Sequence, residues 1–333
     1  MNYEELLSKL DPKTQKRVLR ASEIKIDRRP YASVGLTRMT GGFAMGRIHL
    51  IYGPKSAGKS MSILQTVARH QDNLTAAIID SEGTIDPAFC ERYGLDTEKI
   101  MVNNSKSFDA AQDFGVEVIK AGVDILVLDS ISTLIPGAFL DDKGETKGAD
   151  GQKQMAVRAK STGVMMNSFH YNNENTAIFV ISHGKMDLSG SHAKMTYDGG
   201  KNMEHSASQI IRLTASAAES QQLEGEVFVG DRVFKKPIGR EVNVFVEKNK
   251  LGPASGTSKY NMFYNGDFVG IDVYGETITA AIEMGIVEKG GAWLKYKGRQ
   301  WQGLPKMSLD VRRELDLFEE LEREVIEAEN AEG

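Results

Sequence analysis

The 333-residue sequence contains a single cysteine and no long apolar run. With only Cys90 present, a disulfide within the chain and a cysteine-rich zinc site are both excluded, which fits a reducing compartment. No stretch approaches the roughly 18 apolar residues of a membrane-spanning helix, and the charged N-terminal segment lacks the apolar centre of a signal peptide. We therefore expect a cytoplasmic protein without a membrane partner.

The sequence also lacks the strong excess of positive charge that is common in nucleic-acid-binding proteins. Its formal net charge is −5, but residues 308–333 contain ten acidic and three basic side chains, so the rest of the chain carries +2. A mildly basic body with an acidic tail is compatible with a polyanionic partner that the tail masks. The alternative is a solvated helix that keeps the protein soluble.

Short apolar runs alternate with longer mixed stretches, a pattern typical of strands and crossover helices. The first four runs are nearly continuous, as in a sheet that is covered on both faces. The pattern predicts an α/β fold with a mostly parallel central sheet. The predicted strands are Arg47–Tyr52, Ala76–Asp80, Ile125–Asp129, Ala177–Ser182, Gln209–Thr214 and Glu241–Glu247.

Two long polar stretches, residues 136–153 and 183–199, each follow a predicted strand. Ligands of open α/β sheets gather at the carboxyl ends of strands, and loops of this length in a compact domain are usually functional or disordered. From Gly266 the sequence changes to a helical segment at Tyr274–Gly285, a stretch rich in glycine and aromatic residues, and the acidic tail. This change predicts a small C-terminal domain over residues 266–333.

A phosphate-binding loop is predicted at Gly53-Pro54-Lys55-Ser56-Ala57-Gly58-Lys59-Ser60. The segment follows a predicted strand and precedes a helical pattern at Met61–His70, which is the context that such a motif requires. Backbone N–H groups of the loop would wrap the phosphates, and Lys59 would reach the β- and γ-oxygens. The Ser60 hydroxyl would bind Mg²⁺. The motif therefore predicts a bound nucleoside triphosphate with Mg²⁺.

Further polar residues at predicted strand ends complete this site. Asp129 ends its strand about 70 residues after the phosphate loop, where a carboxylate that holds the Mg²⁺ shell through water is expected. Glu82 follows the strand Ala76–Asp80 and could accept a proton from the attacking water, although an ordinary surface residue is the alternative. His183, Lys248 and Lys250 also lie at strand ends, where turn residues are the default interpretation.

In their order along the chain and in their residues, these motifs resemble those of the RecA family of recombinases, and most of all its phage branch, the UvsX-type proteins. The resemblance covers about Gly35 to Gly303. It implies a RecA-like P-loop ATPase core over residues 35–265, with a mostly parallel central sheet. It also implies an N-terminal oligomerisation segment over residues 1–34 with a helix at Tyr3–Arg20. The segments that carry it are Met45-Gly46-Arg47, Ile51-Tyr52-Gly53-Pro54, Ile79-Asp80-Ser81-Glu82 and Asp86-Pro87-Ala88-Phe89.

The resemblance assigns roles that the motifs alone leave open. It makes Glu82 the catalytic base, and it places Asp86 near the adenine amine with Phe89 stacked on the base. In the alternative, Asp86 caps a helix and Phe89 belongs to the core. It places His183 at the γ-phosphate sensor position, where bacterial RecA has glutamine; an imidazole can donate one hydrogen bond to phosphate.

Filament and DNA contacts also follow from the resemblance. Lys248 and Lys250 resemble a lysine pair that reaches the phosphates of the neighbouring subunit in the manner of an arginine finger. The ATP would then lie between protomers. Residues 136–153 and 183–199 match the positions of two DNA-binding loops. The candidate contacts to DNA phosphates are Arg158, Lys185, Lys194 and Lys201.

The implied activity is that of a DNA-dependent ATPase. It would form helical filaments on single-stranded DNA with ATP and Mg²⁺, and it would catalyse strand exchange with duplex DNA in recombination, repair and replication. Single-strand-binding and loading mediator proteins are further expected partners. A hexameric helicase with the same core is one alternative, disfavoured because only about 35 residues precede the core. A non-hydrolysing mediator is the other, and Glu82 argues against it.

Overall fold

The computed structural model describes residues 2–16, 18–140, 151–187, 194–215, 222–229, 232–252, 256–266 and 268–332. The described α-helices are α1 (Tyr3–Ser8), α2 (Pro12–Gln15), α3 (Val34–Thr40), α4 (Lys59–His70), α5 (Pro87–Glu91), α6 (Phe108–Ala121), α7 (Gly151–Asn172), α8 (Gly200–Ser206), α9 (Val273–Glu283), α10 (Leu304–Arg313) and α11 (Leu315–Glu332). None of the helices within these ranges is both long and apolar enough to span a bilayer.

The described strands belong to one large sheet and three small ones. The large sheet contains β3 (Ile48–Gly53), β4 (Ala76–Asp80), β5 (Ile100–Asn103), β6 (Ile125–Asp129), β7 (Ala177–His183), β10 (Gln209–Ala215), β11 (Gln222–Val229), β12 (Arg232–Asn249), β13 (Gly256–Phe263) and β14 (Gly270–Ile271). The small sheets contain β1 (Arg28–Arg29) with β2 (Phe43–Ala44), β8 (Lys185–Asp187) with β9 (Lys194–Thr196), and β15 (Glu288–Gly290), β16 (Trp293–Tyr296) and β17 (Arg299–Gln302).

The large sheet has the order β14-β13-β12-β10-β3-β7-β6-β4-β5, and β11 pairs with β12. All pairings from β10 to β5 are parallel, whereas those of β12 with its neighbours are antiparallel. The predicted mostly parallel central sheet is confirmed. The phosphate-loop strand, β3, lies inside it, and the carboxyl ends of β3, β7, β6 and β4 lie along one edge.

Apolar clusters cover both faces of this sheet. Alternate residues of β3 point to opposite faces: Ile51 joins the cluster under α4, and Leu50 and Tyr52 join the cluster under α6 and α7. The nearly continuous apolar runs of β3, β4, β6 and β7 follow from this arrangement. A sheet buried on both faces offers few positions where a polar side chain can reach water.

The predicted N-terminal helix Tyr3–Arg20 is wrong as one element. The structure has α1, which ends at Ser8, and α2, which begins at Pro12. Proline cannot continue a helix because it lacks the N–H and its ring meets the preceding turn. Asp11 instead caps the new helix, and its side chain accepts hydrogen bonds from the N–H groups of Lys13 and Thr14, each at 3.0 Å.

The two predicted loops are shorter than expected. The first ends at the start of α7, so residues 151–153 are helical, and residues 141–150 lie outside the described ranges. In the second, β8 and β9 form an antiparallel pair, while residues 188–193 lie outside the described ranges. A strand of three residues is too short for its alternation of apolar and polar residues to be distinguished from a loop in the sequence.

A third apolar cluster forms the core of the C-terminal region, and the acidic tail packs on it. Leu317, Leu321 and Val325 of α11 are buried there. Glu322 forms a bidentate pair with Arg69 of α4, at 2.6 and 2.7 Å. The acidic segment is therefore an amphipathic helix docked on the protein. The large sheet extends to β14, a few residues beyond the predicted domain boundary at residue 266.

A buried carboxylate joins the C-terminal region to the core. Glu276 of α9 accepts hydrogen bonds from Ser33 Oγ at 2.7 Å and from the N–H groups of Val34 and Gly35 at 3.1 and 3.0 Å. These N–H groups belong to the first turn of α3, which has no intrahelical acceptor for them. Burial raises the pKa of Glu276 to about 7, although the three hydrogen bonds oppose the rise.

This carboxylate makes stability depend on pH. Below the ordinary pKa of 4.5 it is protonated in both the folded and unfolded chains. Between pH 4.5 and about 7 the unfolded chain has lost this proton while the folded chain still holds it, so the free energy of unfolding falls as pH rises through this range. At about 1.4 kcal/mol per tenfold change in proton affinity, the loss is about 3 kcal/mol. We expect the unfolding free energy of the wild type, minus that of Glu276→Gln, to fall by this amount over that range in urea titrations. Parallel pH profiles would contradict the assignment.

Candidate functional site

The predicted strand, phosphate loop and helix are present as β3, residues 53–58 and α4. Two glycines make the loop geometry possible. At Gly58, which has a φ of 84°, an added Cβ would lie 2.4 Å from the sulfur of Met262; at Gly53 it would lie 2.0 Å from the carbonyl oxygen of Leu213. The backbone of β10 and a side chain of β13 thus press against the loop. Ser56 adopts the left-handed conformation at φ 59°.

Lys59 lies folded over the loop that precedes it. Its Nζ donates hydrogen bonds to the carbonyl oxygens of Gly53 at 3.1 Å and Pro54 at 2.8 Å. Burial lowers its pKa below the ordinary value, and the nearby carboxylates of Asp129 and Glu82 offset only part of this lowering. The ammonium group therefore lies inside the loop beside two carboxylates. A phosphate in the loop would offer it a stronger acceptor than a backbone carbonyl.

Asp129 and Ser60 form the candidate metal side of the site. Asp129 is the buried last residue of β6, and burial raises its pKa to about 6, with Glu82 and Asp80 adding to the rise. A hydrogen bond from Ser60 opposes it. A hydroxyl oxygen beside a carboxylate fits Mg²⁺, which binds oxygen ligands and usually retains several waters.

Glu82 and His183 lie in direct contact. Nε2 of His183 is 2.8 Å from Oε1 of Glu82, and the same oxygen accepts a hydrogen bond from Ser130 Oγ at 2.7 Å. The backbone N–H of His183 donates to Ser132 Oγ at 2.8 Å. His183 ends β7 and pairs in register with Gly53. The two residues were predicted separately; β4 and β7 both pair in parallel with β6, which lies between them, so their carboxyl ends reach the same edge of the sheet beside the phosphate loop.

A cavity of about 700 Å³ extends from the phosphate loop to α5. Of the predicted site residues, it is lined by Lys55, Ser56, Gly58, Lys59, Ser60, Glu82, Asp86, Phe89, Asp129 and His183. Gly53, Pro54 and Ala57 are not part of the lining. Further lining residues that the motifs did not indicate include Thr84, Cys90, Tyr93, Lys106 and Thr133. Thr84 and Cys90 lie beside the segments that contain Glu82 and Phe89, whereas no motif indicates Tyr93, Lys106 or Thr133, which the fold brings to the cavity.

Both interpretations of Asp86 and Phe89 have support. Asp86 caps α5, and its Oδ1 accepts hydrogen bonds from the N–H groups of Ala88 at 3.0 Å and Phe89 at 3.4 Å. Phe89 packs against the apolar cluster under α4 and meets the ring of Tyr93 edge to face at 5.8 Å. Both side chains also line the cavity. Their predicted contacts to adenine stay predictions.

Lys248 and Lys250 lie far from the cavity of their own chain. Asn249, between them, pairs with Gln209, which pairs with His49 near the start of β3, whereas the phosphate loop follows the end of β3. The lysines are thus at the opposite edge of the sheet. Their Nζ atoms donate to carbonyl oxygens in the last turn of α8, that of Lys248 to Glu204 and that of Lys250 to His205 at 2.8 Å.

The four predicted DNA contacts differ in their surroundings. Lys194 and Lys201 are exposed. Lys185 forms an ion pair with Asp198. Arg158 of α7 is partly buried, and its Nη1 donates to the carbonyl oxygens of Ser132 and Leu134, each at 3.0 Å. This guanidinium ties α7 to the segment that follows β6, and its contact with DNA stays a prediction.

We expect Arg158→Ala to lower the free energy of unfolding by about 1–3 kcal/mol, because two carbonyl groups lose a charged donor. Lys160→Ala, which removes an exposed charge from the same helix, should leave stability unchanged. Urea denaturation of both variants measures the difference. Equal stability of the two variants would contradict a structural role for Arg158.

Comparison with known proteins agrees with this geometry. The family model of the RecA N-terminal domain matches residues 14–269. The RecA protein of Nocardioides sp. is 31% identical over 292 residues, which cover 86% of this chain and 78% of that protein. The RecA protein of Saccharopolyspora erythraea is 30% identical over 293 residues, with 86% and 79% covered. That of Thioalkalivibrio sulfidiphilus is 29% identical over 292 residues, with the same coverage. The expected phage branch stays a prediction, whereas at the level of the family the chain belongs to the RecA proteins.

Proposed function

We propose that this protein is a DNA-dependent ATPase and recombinase that assembles into filaments on single-stranded DNA and exchanges strands with a homologous duplex. The observation that carries the proposal is the separation of the site into two halves. The cavity with Glu82 lies at the carboxyl edge of the parallel strands, and Lys248 and Lys250 lie at the other edge. One chain therefore offers both halves of a site that two neighbouring chains would complete.

Within the first half, the residues fit ATP with Mg²⁺. The loop at 53–58 would hold the phosphates, and Ser60 and Asp129 would hold the metal, which neutralises charge on the β- and γ-phosphates. Glu82 would orient the attacking water and accept its proton. The hydrogen bond from Ser130 and the contact with His183 fix the position of this carboxylate.

His183 would couple hydrolysis to DNA. It contacts Glu82 and also begins the second loop, in which Lys185 and Lys194 lie. A loop that moves on binding a strand would therefore move an imidazole that touches the catalytic carboxylate. A ligand changes an equilibrium only through different contacts in the two states, and this pair supplies such a contact.

Exposed apolar residues support self-association. Leu19, Ile24 and Ile26 of the N-terminal segment are 64%, 59% and 42% exposed. β5 is an edge strand of the large sheet, and its Met101 and Val102 are 56% and 42% exposed. An open apolar edge strand favours pairing with another chain. We propose that the N-terminal segment covers this edge on a neighbouring subunit.

A strand-exchange assay tests the proposed function. The protein should pair circular single-stranded DNA with a homologous linear duplex in the presence of ATP and Mg²⁺. Lys59→Ala, which removes the phosphate-binding ammonium, should be inactive. Failure of the wild type with both ATP and a non-hydrolysable analogue would contradict the recombinase, and a mediator that only loads another recombinase would then be favoured.

A further inference from the structure

A two-stranded ribbon projects from the large sheet and takes no part in the function described so far. Residues 232–237 of β12 pair only with β11, because pairing of β12 with β13 begins at Gly239 and with β10 at Val242. At about 3.4 Å per residue the ribbon extends roughly 20 Å beyond the sheet. The predicted strand began only at Glu241, because the polar Lys235-Lys236-Pro237 segment does not resemble a buried strand.

The direction of the strands places this β11–β12 ribbon at the edge where the candidate DNA loops emerge. β12 runs antiparallel to β10, and β10 runs parallel to β3. The beginning of β12 therefore lies at the carboxyl edge of β3, β6 and β7. The ribbon lies on one side of β3 and the two candidate DNA loops lie on the other.

The two faces of the ribbon differ in charge. Phe234 pairs with Val227, and Lys236 pairs with Gly225. Cross-strand partners lie on one face and alternate residues share it, so this face contains an aromatic residue and a lysine without a carboxylate. The opposite face contains Lys235 and Pro237, and Pro237 lies across from Glu224. We name the first the Phe234 face.

The Phe234 face is open to solvent. Phe234 is 42% exposed, and Lys236 is exposed. Within the described ranges the side chain of Lys236 makes no hydrogen bond or ion pair. At the base of the ribbon, Arg240 donates to the carbonyl oxygen of Ser56 in the phosphate loop at 3.4 Å, and its guanidinium lies over the ring of Tyr264 at 5.2 Å. The ribbon is thus anchored on the nucleotide site.

We propose that the Phe234 face binds single-stranded DNA, with the ring of Phe234 stacked on a base and Lys236 at a phosphate. Among the described side chains of this face, the exposed ring lies beside an unpaired cation and no carboxylate, which is the chemistry of a single-strand contact because every base offers a face for stacking. The inference rests on the proposed DNA binding and adds the β11–β12 ribbon to the surfaces that contact the strand. The contact of Arg240 with the phosphate loop links this ribbon to the nucleotide site.

Fluorescence anisotropy with a labelled oligo(dT) strand and a non-hydrolysable ATP analogue tests the inference. Phe234→Ala should weaken binding about tenfold, in the range found for the loss of one stacked base. Lys236→Ala should reduce the salt dependence of the binding constant by about 0.7 in a double-logarithmic plot, as for one phosphate contact of a single strand. Lys235→Ala, on the other face of the same ribbon, is the matched control and should change neither quantity.

A second measurement separates stacking from an effect on folding or assembly. Phe234→Trp should bind the strand. Addition of the strand should quench the tryptophan fluorescence of this variant more than that of the wild type, whose two tryptophans both lie in the C-terminal region. Binding by Phe234→Ala/Lys236→Ala within twofold of the wild type would overturn the inference. An equal loss in Lys235→Ala would also overturn it, as would loss of self-association without DNA. If the wild type itself does not bind the strand, the proposed function fails instead.

Discussion

Glu82→Gln is expected to abolish DNA-stimulated ATP hydrolysis while filaments still form. The amide cannot accept a proton from water, and loss of a general base costs about 10²–10⁴-fold in rate. Its oxygen can still accept the hydrogen bond that Ser130 donates to Glu82 at 2.7 Å, so the site should keep its shape. Phosphate release measures the first effect, and electron microscopy of the variant on single-stranded DNA measures the second.

Glu91→Gln serves as the control for this prediction. Glu91 is an exposed carboxylate at the end of α5, in the segment that follows Glu82, and it does not line the cavity. This variant should hydrolyse ATP at the wild-type rate. Hydrolysis by Glu82→Gln within a few-fold of the wild type would remove Glu82 from the catalytic role.

The second large effect concerns the two lysines. Lys248→Ala/Lys250→Ala should bind nucleotide normally, because both lysines lie at the edge of the sheet opposite to the cavity. Its ATPase should be lost, as when a residue that acts from a neighbouring subunit is removed. Mixing it with Glu82→Gln should restore activity. In an equal mixture about a quarter of the interfaces would join an intact Glu82 to an intact lysine pair.

Recovery of activity in the mixture distinguishes action between subunits from action within one. Lys289→Ala/Lys295→Ala, which removes two exposed charges from the small C-terminal sheet, is the control and should behave as the wild type. If the double variant hydrolyses ATP normally, the lysines have no catalytic role. If both single populations are inactive and the mixture remains inactive, they do not act on a neighbour's phosphates.

Much of the core was predictable because burial on both faces leaves a clear signal. β3, β4, β6 and β7 appear in the sequence as apolar runs, and each parallel strand ends at the same edge. The phosphate loop was predictable because its glycines have no substitute: a Cβ at Gly58 would meet Met262. Local sequence thus indicated the loop, Asp129 and the segment of Glu82.

Contacts between distant segments were not predictable. No local pattern indicates that Arg158 donates to the carbonyls of Ser132 and Leu134, or that Glu276 caps α3. Tyr93 and Lys106 reach the cavity only because the crossover connections return to the same edge. The break at Pro12 was visible in the sequence, but the helical spacing of the charges concealed it. Apart from this local break, the misses reflect packing between segments that single-sequence patterns do not encode.

The position of Lys248 and Lys250 at the sheet edge opposite to the phosphate loop would make the two ends of the proposed filament chemically different. At one end the last subunit would hold a nucleotide that no lysine pair reaches, and at the other end a lysine pair would reach no nucleotide. Two joined subunits would contain one complete site, so turnover per subunit would rise with length toward a plateau. Short DNA strands should therefore give a lower specific activity than long ones at equal coverage.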